Sequence, residues 1–221
     1  AFAGTRDGID VLLRDRGMRR TRPEQTTESL LLGAVASAGL EDSASDLEAV
    51  RAGNLDAAAA AAVRVSTELL SLVPVVEHTP MQALARLHAL AGKGEDADDA
   101  LGRPVGPEAA ERLATLSETM LTTSVPALIL AAIVHAEIVT VAPFASHNGI
   151  VARAAERLVI AARGVDPKSL VVTESGHALL RKEYESNLRG YRDGGRGGLH
   201  SWLLYAAEAY TKAAEASPLA V

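Results

Sequence analysis

Between Val141 and Arg153 the chain reads VAPFASHNGIVAR, and the residue types in this stretch are suited to holding an anion. Asn148 and Gly149 open a helical pattern in which Val151, Ala154, Leu158 and Ala161 recur at the spacing of one buried face. The first turn of a helix offers unbonded N–H groups and the positive end of the peptide dipole, which favours phosphate or carboxylate. Asn148 is expected to cap this helix, Gly149 lets backbone approach a ligand, and Arg153 adds a cation one turn in. His147 is a base inside the loop. Pro143 closes the preceding helix, because its ring clashes with helical backbone and it has no N–H. Phe144, one of 2 phenylalanines, is expected to pin the loop into the core.

The same letters resemble the signature loop of Fic-domain proteins, His-x-Phe-x-Asp/Glu-Gly-Asn-Gly-Arg-x-x-Arg. Pro143, Phe144, Asn148, Gly149 and Arg153 agree with it. Ala142 stands where the family has its catalytic histidine, Ser146 replaces the acid, His147 the first glycine, and Ile150 the first arginine. Before the loop, LILAAIVHAEIVTV resembles the helix that leads into the motif. Earlier still, LARLHAL followed by a Gly-rich stretch and GRP resembles the element and flap that precede that helix. Arg103 lies in this flap, facing solvent or a target. After the loop, YESNLRGYRDGGRGGLHSWLLYAAEAY resembles the closing helices. The resemblance spans roughly Met81 to Tyr210 and implies an all-α helical bundle of the Fic fold, with a short β-hairpin flap around 92–106 as one expected form.

A second segment carries a resemblance of its own. Ser37-Ala-Gly-Leu-Glu41-Asp42 is similar to the inhibitory motif of Fic proteins, Ser/Thr-x-x-x-Glu-Gly/Asn; Ser37 and Glu41 match and Asp42 departs. In inhibited relatives the helix glutamate pairs with the motif's final arginine and blocks the γ-phosphate position. The resemblance therefore implies that Glu41 and Arg153 meet in space.

In active relatives the loop histidine takes a proton from a target hydroxyl, which attacks the α-phosphate of ATP. The acid holds magnesium and the arginines hold the polyphosphate. Alanine at 142 has no proton acceptor, and general-base catalysis supplies about 10²- to 10⁴-fold. Serine at 146 is a poor magnesium ligand, because hard cations prefer carboxylate oxygen. Isoleucine at 150 replaces a bidentate phosphate clamp with an apolar group. His147, the one candidate substitute base, sits five residues past the lost histidine.

The elements that must position these residues are helical. Hydrophobic residues make up 48% of the 221 and aromatics only 3%, a mix that favours closely packed helices over strands. From Thr26 or Thr27, an apolar face forms from Leu30, Leu31, Ala34, Val35 and Ala38. Asp46–Ala52 and Leu55–Leu72 read as a short and a long helix, and Met81–Ala91 as another. Pro107–Leu121, Pro126–Val141, Gly149–Arg163, Ser175–Leu188 and Leu199–Ala214 complete the set. The run GKGEDADDALGRPVGP reads as an exposed loop or short hairpin, its cluster of acids solvated and without EF-hand spacing. Residues 1–25 read as a solvated N-terminal arm rich in arginine (Arg6, Arg14, Arg16, Arg19, Arg20, Arg22), 26–80 as N-terminal helices, 81–214 as the Fic-like core and 215–221 as a tail.

Other classes of chemistry find little support. The chain has no cysteine, so disulfides and thiolate metal sites are excluded. The 6 histidines include no pair at the spacing of a zinc finger or one-helix zinc site, so no metal is expected, and His88 and His135 read as hydrogen-bonded core histidines. Trp202 reads as core. A formal net charge of −6 argues against a nucleic-acid or anionic-membrane surface. Val125–Val141, the apolar run most like a span, contains Pro126, His135 and Glu137 and reads as a buried helix. Charges at residues 6–10 come too early for a signal peptide, so cytoplasm is expected, although a leader removed before Ala1 stays open.

Three functional expectations follow. The leading one is a pseudoenzyme of the Fic fold that keeps an anion or nucleotide-phosphate pocket (Asn148, Gly149, Arg153) for binding or regulation and lacks AMP transfer, with no certain cofactor and an unidentified protein partner. The second is a noncanonical transferase acting on protein hydroxyls with ATP and magnesium, or another phosphate-handling enzyme, using His147 or another group. The third is a structural or homodimerising helical module.

Overall fold

The computed structural model describes residues 1–15 and 22–217, and among these the chain is helical with no strand. The helices are α1 (Phe2–Asp15), α2 (Pro23–Gly39), α3 (Leu47–Arg51), α4 (Ala57–Glu68), α5 (Val73–His78), α6 (Pro80–Ala91), α7 (Pro107–Thr122), α8 (Ala127–Val141), α9 (Asn148–Ala162), α10 (Thr173–Leu179), α11 (Arg181–Asp193) and α12 (Gly195–Glu215). Local chemistry sets many of these starts. Asp46 and Asp56 accept from the third N–H beyond them at 2.8 and 2.9 Å, while α2, α5, α6 and α7 carry proline in the first turn, where a missing N–H costs nothing.

Helix α9 is the centre of the molecule. Every residue from Ile150 through Ala161 is buried, not the single face that the apolar spacing predicts. It is enclosed by α8, α6, α5, α4, α2 and α10. Alanine on these helices brings backbones close together, and the many small side chains of α8 and α9 fit that demand.

A buried helix carrying Arg153, Glu156 and Arg157 must give each charge a partner, since an unpaired buried charge is prohibitively costly. Arg157 donates from Nε to Ser169 Oγ at 2.6 Å and from Nη2 to Ser29 Oγ at 2.5 Å and the Ser169 carbonyl at 2.7 Å. Its Nη1 lies 3.3 Å from Glu174. This guanidinium passes so close to α2 that a Cβ on Gly33 would lie 2.1 Å from Nη1. The buried face of α2 is accordingly Ser29, Gly33, Ala34, Ser37 and Ala38, whereas Leu30, Leu31 and Val35 are only half-buried. The expected apolar face is thus rotated toward small polar residues, because two arginines of α9 must be received there.

The N-terminal arm also differs from expectation. Ile9 and Leu13 are buried, and Thr5 Oγ1 donates to the Ala207 carbonyl at 3.1 Å, so α1 is docked on α12. Thr5, Ile9 and Leu13 stand four apart, a stripe masked by the charged residues around it. The arginines at 16, 19 and 20 lie outside the described residues.

The stretch Ala57–His78 is long and apolar enough to cross a membrane by length and composition, whereas the sequence points to the shorter run Val125–Val141 as the one most like a span. Within it the helix tightens at Leu69–Leu72 ahead of Pro74, and Ala59, Ala62, Val65, Leu69 and Val76 enter the core.

Residues 92–106 form a series of turns, not a hairpin. Glycines and acids there supply no alternating apolar residues for a ladder. Contacts at both ends hold the flap. Arg64 donates to the carbonyls of Leu90 and Ala91 at 2.8 and 2.6 Å, and Val105 N–H donates to the Pro143 carbonyl at 2.9 Å.

Candidate functional site

Helix α8 ends at Val141, and Ala142 follows in the left-handed region at φ 47, its side chain exposed. Phe144 is buried as expected and stacks on His88, with ring centroids 4.5 Å apart and planes 7° from parallel. Asn148 does not cap α9. Its Oδ1 accepts from Phe144 N–H at 3.0 Å and its Nδ2 donates to the Phe144 carbonyl at 2.8 Å, closing the loop on itself. The residue before α9 is His147, at φ 55, with no side-chain cap bond. A left-handed backbone is the conformation glycine adopts without strain. Position 147, glycine in the pattern that the loop resembles, retains that backbone with a histidine on it.

Because no side chain caps the start of α9, its first turn is open to an anion. The chain supplies one. Helix α2 ends at Gly39, and the turn through Leu40 and Asp42 (φ 61) points Glu41 at this end of α9. Glu41 Oε1 lies 2.6 Å from Arg153 Nη2 and so close to Gly149 that a Cβ there would be 2.1 Å away. Arg153 donates further to Ser37 Oγ at 2.9 Å, to the Ser37 carbonyl at 3.0 Å and to Tyr184 Oη at 3.3 Å. Burial disfavours the charged guanidinium, but Tyr184 and Glu41 outweigh it and raise its pKa. Ser37, Glu41, Gly149 and Arg153, named from sequence, thus converge on one point. Ile150 turns away from it, 2% exposed in the core.

The flap covers the other side of the loop. Ser146 Oγ donates to Asp96 Oδ2 at 2.7 Å and also contacts His147 Nδ1. His147 Nε2 faces Glu95 at 3.4 Å. Asp96 fits because Gly92 has no side chain; a Cβ there would be 2.3 Å from Oδ2. The same carboxylate faces His88 Nε2 at 3.1 Å, while His88 Nδ1 accepts from Gly102 N–H at 2.9 Å. That bond places the proton of a neutral His88 on Nε2, and burial lowers its pKa despite Asp96. Asp96, read as solvated, therefore turns inward onto the motif loop, while Glu95 stays exposed at its edge. Arg103 is exposed.

Beside the loop lies an open groove of about 810 Å³, bordered by Val105, Arg112, Glu137, Val141, Tyr191 and Leu199. The Arg112–Glu137 pair at 2.6 Å and a bond of 2.7 Å from Tyr191 Oη to Glu137 form its polar wall. Two features escaped the sequence reading. Arg157 repeats Arg153 one turn later, and the four-residue spacing of Ser29, Gly33, Ser37 and Glu41 was its available signal. His135, Glu156 and His177 converge in the core from three helices, which no local spacing rule detects.

No protein-family model and no curated protein matches the sequence. Solved structures do. A Fic family protein from Desulfovibrio desulfuricans G20 is similar at a TM-score of 0.77 and 16% identity, over 97% of this chain and 73% of that one. A fragment of Fic-1 from C. elegans is similar at a TM-score of 0.73 and 16% identity, over 97% of this chain and 69% of that one. At these TM-scores over nearly the whole chain, the chain has the fold of the Fic family proteins.

Proposed function

We propose that this chain is a pseudoenzyme of the Fic fold, a binding or regulatory protein without AMP transfer. The observation that carries this reading is the position of Glu41. Its carboxylate stands at the start of α9 and holds Arg153, the one arginine left of the phosphate clamp. A second anion at the same point would meet like charge and lose the guanidinium.

The other groups point the same way. Ala142 offers no proton acceptor on its exposed methyl group. Magnesium and a nucleotide triphosphate, which the fold family implies, do not fit the residues present. The carboxylate bonded to Ser146 is that of Asp96, and it is already shared between Ser146 and His88. Ile150 is buried and apolar where a clamp is needed. His147, the candidate base, is directed at Ser146 and the flap. Asn148, Gly149 and Arg153 remain as a site for a small anion once Glu41 moves.

The test is incubation of the purified chain with ATP labelled on the α-phosphate, alone and with cell extract. No label should enter protein, in the wild type or in Glu41→Gly, and Ala142→His added to Glu41→Gly should not restore transfer. Label that is lost in His147→Ala would establish a transferase instead.

A further inference from the structure

Away from the motif loop, three ionisable side chains meet inside the helical core. His135 comes from α8, Glu156 from α9 and His177 from α10, and none is exposed to solvent. Glu156 Oε1 is 3.1 Å from His135 Nδ1, and Oε2 is 3.0 Å from His177 Nε2. One donor atom from each residue lies within 4.8 Å of the others. We propose that His135 Nδ1, His177 Nε2 and the Glu156 carboxylate bind a structural divalent metal ion of the zinc type, with Tyr210 Oη hydrogen-bonded to the carboxylate.

Geometry and charge support this assignment. Donors about 2.0–2.2 Å from one ion stand roughly 3.0–3.5 Å from each other; the two nitrogen–oxygen separations have that size, and the ring nitrogens, within 4.8 Å of each other, draw in around the ion. His135 Nδ1 is buried and has no well-formed hydrogen bond, although it points at the carboxylate. The far nitrogen of each ring is engaged by a phenol, His135 Nε2 with Tyr184 Oη at 3.0 Å and His177 Nδ1 with Tyr205 Oη at 2.8 Å. Metal-bound imidazoles are oriented by such contacts. Tyr210 Oη donates to Glu156 Oε1 at 2.7 Å.

Charge leaves the same gap. Among the described residues no guanidinium or ammonium is bonded to the Glu156 carboxylate, since Arg153 is engaged by Glu41 and Arg157 by Glu174. A buried anion needs a compensating cation. Two imidazole nitrogens and a carboxylate are a donor set used for zinc and for other divalent first-row metals. The site is enclosed by Trp202 and the phenols of Tyr184, Tyr205 and Tyr210. The ion therefore joins three helices as the chain folds and takes no substrate.

The rival occupant is a proton. With Nδ1–H of His135 and Nε2–H of His177 both donating to Glu156, and Tyr184 O–H donating to His135 Nε2, the cluster closes without an ion. Unfolding the full chain in chelator, refolding it with zinc or with magnesium, and measuring bound metal after desalting decides between them. Zinc should be retained at about one ion per chain, raise the unfolding temperature, and be lost in Glu156→Gln and His177→Gln, while His200→Gln retains it. Chain that refolds fully without zinc and retains none when it is offered overturns the proposal, as does zinc retained unchanged by Glu156→Gln. If the core variants do not fold, the X-ray absorption edge of the zinc-loaded wild type decides. A shell of two imidazoles and carboxylate oxygen supports the site, and any other shell overturns it.

Discussion

Glu41 Oε1 and Arg153 Nη2 stand 2.6 Å apart although 112 residues separate them in the chain. The two sides of this contact are unequal: the arginine side chain is 2% exposed and the glutamate 36%. Arg153 also holds Ser37 and Tyr184, whereas among the described residues Glu41 has this one charged partner. Removing the arginine orphans several buried groups; removing the glutamate leaves an arginine that water can partly reach.

A double-mutant cycle should show the asymmetry. Arg153→Met is expected to cost about 3 kcal/mol and Glu41→Gln about 1 kcal/mol, with a coupling near 1 kcal/mol. Urea unfolding of the four forms measures all three quantities. Strictly additive losses would exclude a direct contribution from the pair.

Anion binding should depend on Glu41. With the carboxylate in place, sulfate or phosphate in the tens of millimolar should leave the unfolding temperature of the wild type almost unmoved. In Glu41→Gln the same anions should raise it, because the open first turn of α9 and Arg153 are then free. A scan of unfolding temperature against anion concentration reads the difference, and equal shifts in both forms would remove Glu41 from the anion position.

Acid should loosen the flap through His88. Burial lowers its pKa below the ordinary value, so the unfolded chain binds the proton more readily. The stability that neutral His88 contributes is present above its unfolded value of about 6.5 and is lost as pH falls through that value toward the lower folded one. Protonation also removes the acceptor for Gly102 N–H. His88→Asn keeps an acceptor near Nδ1 and cannot titrate. Between about pH 7.5 and 5.5 the wild type should lose more stability than this variant, by under about 1 kcal/mol. Denaturant midpoints at the two pH values measure it, and parallel losses would place the acid sensitivity elsewhere.

Backbone strain at Ala142 should be relieved by glycine. At φ 47 a Cβ is unfavourable, and the exposed methyl group gives little in return, so Ala142→Gly is expected to be neutral or to stabilise by up to about 1 kcal/mol. His147→Gly removes similar strain but forfeits the Ser146 and Glu95 contacts. Its net effect should be smaller. An unchanged denaturant slope with a shifted midpoint would confirm that the change lies in the folded loop.

The sequence made the helices and the motif loop legible because both depend on local residue types: apolar spacing, prolines and the letters from Pro143 to Arg153. It also implied the meeting of Glu41 with Arg153, through resemblance and not through spacing. What it hid was long-range. Ser29 carries no local signal of burial, and the guanidinium that it receives comes from 128 residues away. Asp96 looked solvated because nothing local shows that Gly92 leaves it a path inward. Asn148 has the residue type of a helix cap, yet its amide fits both backbone groups of Phe144, and that competing local bond prevailed.

Gly33 has a wider consequence for how the molecule assembles. Ser29, Gly33, Ser37 and Glu41 repeat at nearly one helical turn, and so do Arg153 and Arg157 opposite them. A ladder this regular invites slippage: α2 shifted by one turn would still offer a serine to a guanidinium. The missing side chain at Gly33 breaks the degeneracy. A shift of one turn in either direction places a serine Cβ where Arg157 passes, about where a Cβ on Gly33 would lie 2.1 Å from Nη1, so the guanidinium would have to give way and leave its present partners. One hydrogen atom in place of a hydroxymethyl group thus weights the packing of the two helices toward the alignment in which Arg157 keeps Ser29 and Ser169.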